Sequence, residues 1–205
     1  MKLPKYLKSK WFLAALAFVL GALIILGVRF FTYHPDKVHY HANFALYING
    51  QKEEFKNPIY YIAITAMCST DTTAKTPVDR AHLHSGVNNV VHVEDHTVTW
   101  GNFFQNIGWV VDPRLIRTPD ALYLPDDQHK ITFILNGQQV DGAMRQVIGD
   151  QDKLLIDFGT TSQSDIQKEY NGIPSTAKKY DTTPDPKSCS GSRPTTLRER
   201  LHHLF

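Results

Sequence analysis

The chain has 205 residues, of which 42% are hydrophobic, 11% aromatic and 20% charged; that is enough apolar material for a packed core and excludes a wholly disordered chain. Residues 1–31 hold five of the 22 basic residues and none of the 20 acidic ones, so the rest of the chain carries 17 basic against 20 acidic residues. A mildly acidic main body lacks the basic footprint of a nucleic-acid-binding domain, and no nucleic-acid partner is expected.

In chain order, residues 1–10 are a basic stretch with Lys2, Lys5, Lys8 and Lys10, and residues 11–31 read as a membrane anchor. From Trp11 to Val28 the sequence WFLAALAFVLGALIILGV runs without a charge. At about 1.5 Å per residue it covers roughly 27 Å, close to the hydrocarbon thickness of a bilayer. The lysines before it predict a cytoplasmic N-terminus, with the body outside the cytoplasm and the lipid bilayer as partner through residues 11–31. A cleaved signal peptide is the alternative, but its apolar region is shorter and ends in small residues, whereas this one ends in GVRFF. Residues 32–38 form a tether.

Residues 39–180 are expected to be a mainly β exterior domain, a β-sandwich or barrel-like fold with a few short helices. His39–Ile48 alternates and closes with Asn49-Gly50, a hairpin signal. The return strand is expected at 51–55, a buried strand at 58–67 and a loop at 69–80. Residues 81–84 and 88–94 read as strands around Ser85-Gly86. Thr99 is placed to cap a helix ending near Gly108. Residues 112–128 read as irregular. A strand at 130–135 ends in ILNGQ, echoing YINGQ at 47–51. Residues 153–158 read as a further strand, and Ser162 or Ser164 as the cap of a helix through Tyr170. Residues 181–205 read as a linker and a short helix, with Leu197, Leu201 and Leu204 on one face.

Seven of the ten histidines fall between residues 34 and 96. Side chains two apart on a strand share a face, so His39 pairs with His41, His82 with His84, and His92 with Glu94. Imidazoles from neighbouring strands can converge on one ion. The candidate ligands are His39, His41, His82, His84, His92 and Glu94, with Glu94 also a candidate hydrogen-bond partner or general base. The plain alternative is a set of exposed or hydrogen-bonded strand histidines. His96 lies in a turn and is a weaker candidate; His34, His129, His202 and His203 read as structural or solvent-exposed. An imidazole set favours Zn²⁺ or Cu²⁺ as cofactor, and with only Met1, Met67 and Met144 a methionine-rich Cu(I) carrier is not expected. Cys68 and Cys189 are the two cysteines; they are read as a disulfide, with Cys68 as a metal ligand the competing reading. No G-x-S-x-G, Walker A, G-x-G-x-x-G, C-x-x-C or H-E-x-x-H motif occurs. The order HLHSG…HVE partly matches a cupin, but the spacing of the acid departs from it.

HYHANFALYING, followed by HLHSGVNNVVHVED and TVTWGNFFQNIGW, resembles a recurring group of membrane-anchored, extracytoplasmic, histidine-rich microbial proteins. The resemblance covers roughly residues 38–109. It implies an anchored exterior domain and suggests metal binding, and it carries no activity. Three expectations follow: a membrane-anchored protein binding a transition metal; a surface or envelope interaction protein without metal; and a metal-dependent hydrolase using metal-bound water and Glu94.

Overall fold

The computed structural model describes residues 9–34, 38–61, 77–84, 86–182 and 196–204. The chain divides into two compact units: residues 1–36 with 190–205, and residues 37–189. In the first, helix α1 (Lys10–Thr32) is 23 residues of almost wholly apolar sequence with no buried residue. It is long and apolar enough to cross a membrane.

The second unit is rich in sheet. Strand β1 (Tyr40–Ile48) turns through Asn49-Gly50 into β2 (Gln51–Lys52). Both turn residues have positive φ, 50° and 74°, which the two-residue hairpin requires. A short helix α2 (Pro77–Arg80) leads into β3 (Ala81–Leu83), and β4 (Val90–Val93) returns beside it. Helix α3 (Trp100–Asn106) begins at Thr99, whose hydroxyl accepts from the Asn102 amide while the Asn102 side chain accepts from the Thr99 amide. Asn102 thus fills the position usually held by Glu or Gln.

Strands β5 (Val110–Asp112), β6 (Leu115–Arg117) and β7 (Leu122–Tyr123) form a small antiparallel sheet. This corrects the reading of residues 112–128 as irregular: the strands have two or three residues, too short for alternation to show. Strand β8 (Lys130–Leu135) turns at Asn136-Gly137 into β9 (Gln138–Gln139), then β10 (Lys153–Gly159) follows. Helix α4 (Gln163–Asn171) is capped by Ser162 and followed by α5 (Ala177–Asp181). In the first unit again, α6 (Leu197–His202) begins at Thr196 with a capping box through Glu199.

Other expectations change as well: the return strand expected at 51–55 is only Gln51–Lys52, and the loop expected at 69–80 ends in helix α2. Pro58–Tyr60 is a 3₁₀ turn capped by Asn57, not the start of a strand. Asn-Pro is a helix-start signal, with Pro favoured at the first helical position. The rest of that expected strand, 62–67, and both Cys68 and Cys189 lie outside the described residues.

The main sheet has the order β3-β4-β1-β10-β8-β9, with β2 also paired to β1. It is mixed: β1 runs parallel to β10, and its other pairings are antiparallel. The described residues therefore form a sheet-rich body with a few helices, its ladders running from β3 to β9 without pairing those two outer strands.

The alternation of β1 divides two environments. Ala42, Phe44 and Leu46 enter the main core, where Phe44 lies 5.3 Å from Phe103 and 5.8 Å from Phe104 of α3. Gly101 allows that helix to pack closely, because a Cβ there would stand 2.8 Å from the Met144 carbonyl oxygen. On the opposite face of β1, Ala45 joins a smaller core with Ile134, Leu155, Ile166 and Ile173, partly covered by Tyr47 and Tyr170. His41 and Asn43 continue that second face toward the start of the strand.

Candidate metal centre

The ladders align the histidines. His41 is directly opposite His92, and His92 directly opposite His82, giving one row across β1, β4 and β3. His39 lies two residues before His41 and His84 two residues after His82, so both flank the row on the same face. Glu94 is two residues after His92 and shares that face. The alternation read from sequence thus brings together five histidines from three chain segments.

His92 is the hub. Its ring centre lies 4.9 Å from that of His39, 4.7 Å from His41, 5.0 Å from His82 and 5.9 Å from His84. His41 and His92 are fully buried and His82 and His84 nearly so, whereas His39 is exposed. One ring nitrogen from each of His39, His41 and His92 falls in a group with no separation above 4.8 Å. These three residues are placed to hold a metal ion, with His39 at the solvent edge.

Hydrogen bonds fix how the rings face. His41 Nδ1 lies 2.8 Å from Asp181 Oδ1, and His92 Nε2 lies 2.9 Å from Glu94 Oε1. A carboxylate only accepts, so each ring donates its N–H outward. The inner nitrogens, His41 Nε2 and His92 Nδ1, then face each other at 2.9 Å. With both rings neutral these are two lone pairs at hydrogen-bond distance, an arrangement that calls for a cation or an added proton between them. Carboxylate behind imidazole is the usual way a ligating histidine is oriented and made more basic. His82 is fixed in the same sense: its Nδ1 donates to the Val78 carbonyl at 3.0 Å, leaving Nε2 as the lone-pair nitrogen.

Burial holds the His41 pKa down at about 4; the Asp181 hydrogen bond opposes that effect, and the neighbouring His92, His84 and His39 add to it. His41 is therefore a neutral imidazole at neutral pH, the form that binds metal.

Asp181 and its neighbour Tyr180 come from α5, about 140 residues along the chain from His41. Tyr180 covers the site, its ring 4.4 Å from His84 and 5.9 Å from His41. The helix is held there by Asn43, next on the histidine-bearing face of β1. Asn43 Oδ1 accepts from the Thr176 and Ala177 amides at 2.9 and 2.8 Å, and its Nδ2 donates to Thr176 Oγ1 at 3.0 Å. One strand thus supplies His39, His41 and the residue that places Asp181. Sequence reasoning missed Asn43, Tyr180 and Asp181; an Asn on the inward parity of a histidine strand was the available signal for the first, and nothing local marked the other two.

Of the remaining histidines, His129 bonds to Asp126 and stacks on Phe158, His203 stacks on Tyr33, and His96 is exposed. Comparison with protein-family models, with curated proteins and with solved structures finds no match to this chain.

Proposed function

We propose that this is a membrane-anchored, extracytoplasmic protein whose sheet-rich body binds one divalent transition-metal ion, Zn²⁺ or Cu²⁺. The observation that carries the reading is the facing pair of inner nitrogens on His41 and His92, each backed by a carboxylate. A metal between them satisfies every N–H and lone pair of both rings. Ligand nitrogens of a tetrahedral zinc site stand about 3.3 Å apart for bonds of about 2.0–2.1 Å, so the pair opens by a few tenths of an ångström on binding. His39, exposed and just ahead of β1, closes in as the third ligand, and His82 or His84 is at hand for a fourth. The absence of sulfur among these side chains suits zinc or Cu²⁺ over Cu(I).

Glu94 serves as the partner of His92, since its Oε1 is spent on that ring. This favours binding, storage or delivery of the ion over hydrolysis with Glu94 as general base. The apolar helix α1 is long enough to be the anchor, and the lysines that precede it support a body outside the cytoplasm.

Elemental analysis of the full chain purified in detergent, loaded with Zn²⁺ or Cu²⁺ and washed, is expected to give about one ion per chain, and well under about 0.1 in a His41→Ala/His92→Ala variant. Equal, near-zero metal in both proteins sinks the reading.

A further inference from the structure

Helix α6 is fastened to the end of α1 by a reciprocal pair of arginines. Arg200 Nη1 donates to the Phe30 carbonyl at 2.7 Å and to the Phe31 carbonyl at 3.4 Å. In the other direction, Arg29 Nη2 donates to the His203 carbonyl at 2.8 Å. The rings of Tyr33 and His203 stack at 4.4 Å. The carbonyls concerned belong to last turns, which a helix cannot satisfy from within. Each helix therefore ends on the other's arginine, and α6 is held at the aromatic end of the apolar helix.

That position sets the surroundings of its leucines. Leu197 and Leu201 are 70% and 52% exposed, and Leu204 follows on the same face. Arg200 and His203 lie on the flank turned to α1, while His202 points away from the leucines. No residue of the six-residue helix is buried, and Leu197 and Leu201 keep most of their surface uncovered within the unit. Beside it, α1 has no buried residue and Phe31 is 76% exposed. The leucine face and the end of α1 to which α6 is fastened are thus both uncovered apolar surface.

We propose that α6 is a second membrane contact, with Leu197, Leu201 and Leu204 seated in the interfacial layer of the leaflet from which α1 emerges. The inference rests on the reading of α1 as a span. Short amphipathic helices lie in this layer with apolar residues down, and the exposed Arg198 suits headgroup phosphates at the same depth. The occupant is the bilayer, because the helix is fastened to the very residues at which the apolar run stops. The segments on both sides of the histidine-bearing body are then held at one membrane surface.

The test uses the full chain in vesicles of phosphatidylcholine with phosphatidylglycerol, with p-benzoylphenylalanine replacing Phe18, Leu201 or His202 one at a time. After illumination, lipid adducts are counted by mass spectrometry. Position 18 reports the span, and position 201 is expected to give roughly tenfold more lipid adduct than position 202. Equal yields at 201 and 202, with strong labelling at 18, overturn the inference and leave the span intact. Failure of position 18 to label lipid overturns the span and the inference with it. An Arg29→Ala/Arg200→Ala variant is expected to lower the yield at 201 several-fold while leaving 18 unchanged; an unchanged yield at 201 overturns the fastening.

Discussion

At the scale of single residues, the centre is built from hydrogen bonds that leave particular nitrogens bare. Asp181 and Glu94 each engage the outer nitrogen of a buried ring, and the two inner nitrogens face each other across 2.9 Å. Neither carboxylate belongs to the group of three that can hold the ion. In the proposed centre both act through the imidazole to which they are hydrogen-bonded. Replacing such a partner commonly weakens metal affinity about 10- to 100-fold while the ligands stay in place. Asp181→Ala and Glu94→Gln are each expected to fall in that range by chelator competition, with stoichiometry kept near one. Affinity unchanged in both variants shows that the carboxylates do not support the rings.

At the scale of elements, two packing contacts place what the chemistry needs. Asn43 ties the first turn of α5 to β1 with three hydrogen bonds, and α5 carries Tyr180 and Asp181 onto the histidines. Asn43→Ala leaves two amide donors without their acceptor, a loss of roughly 1–3 kcal/mol in chemical unfolding. Because Asn43 acts on the site through α5, its effect on metal affinity and that of Asp181→Ala should be less than additive. Full additivity separates α5 from the centre. On the other face, Gly101 lets α3 approach the 143–145 turn. The Cβ of Gly101→Ala would meet backbone at 2.8 Å, and roughly 1–3 kcal/mol of overpacking cost is expected in the same unfolding experiment. A variant as stable as the parent shows that the turn gives way freely.

These elements also explain what could be read in the sequence. The shared faces of His39 with His41, His82 with His84 and His92 with Glu94 follow from alternation on strands closed by clear turn signals, and the two Asn-Gly turns and the Thr99 cap were equally legible, with Ser162 one of two candidates for the cap of α4. Asp181 was not, because AKKYD carries no apolar period and its neighbour in space lies on a strand far back in the chain. The register between β1 and its partners is likewise a product of long-range pairing. Alternation states which face a histidine takes but not which histidines stand opposite.

At the scale of the whole sheet-rich unit, one face of the main sheet carries the histidine centre under α5 and, further along, an acid pair under α4. Tyr47 of β1 is opposite Asp157 of β10, which is 1% exposed and accepts from Thr161 Oγ1 at 3.0 Å. Glu169 of α4 faces Asp157, and burial, then the charge of Asp157, raises its pKa to about 7. Burial raises Asp157 as well. The folded state therefore holds a proton on Glu169 that the unfolded chain, titrating near 4.5, releases earlier. The stabilisation is fully present below about pH 4.5 and is lost as pH rises through about 7. Tyr47 and Asp165 also face Glu169 and add no positive charge to offset it. Glu169→Gln keeps a hydrogen-bonding side chain against Asp157 and removes this titration. Thermal melts of metal-free protein between pH 5 and 8 are expected to show the parent losing stability with rising pH more steeply than the variant, with the variant the more stable at pH 8. Parallel curves for the two proteins show that the acid pair does not hold α4 to the sheet through a shared proton.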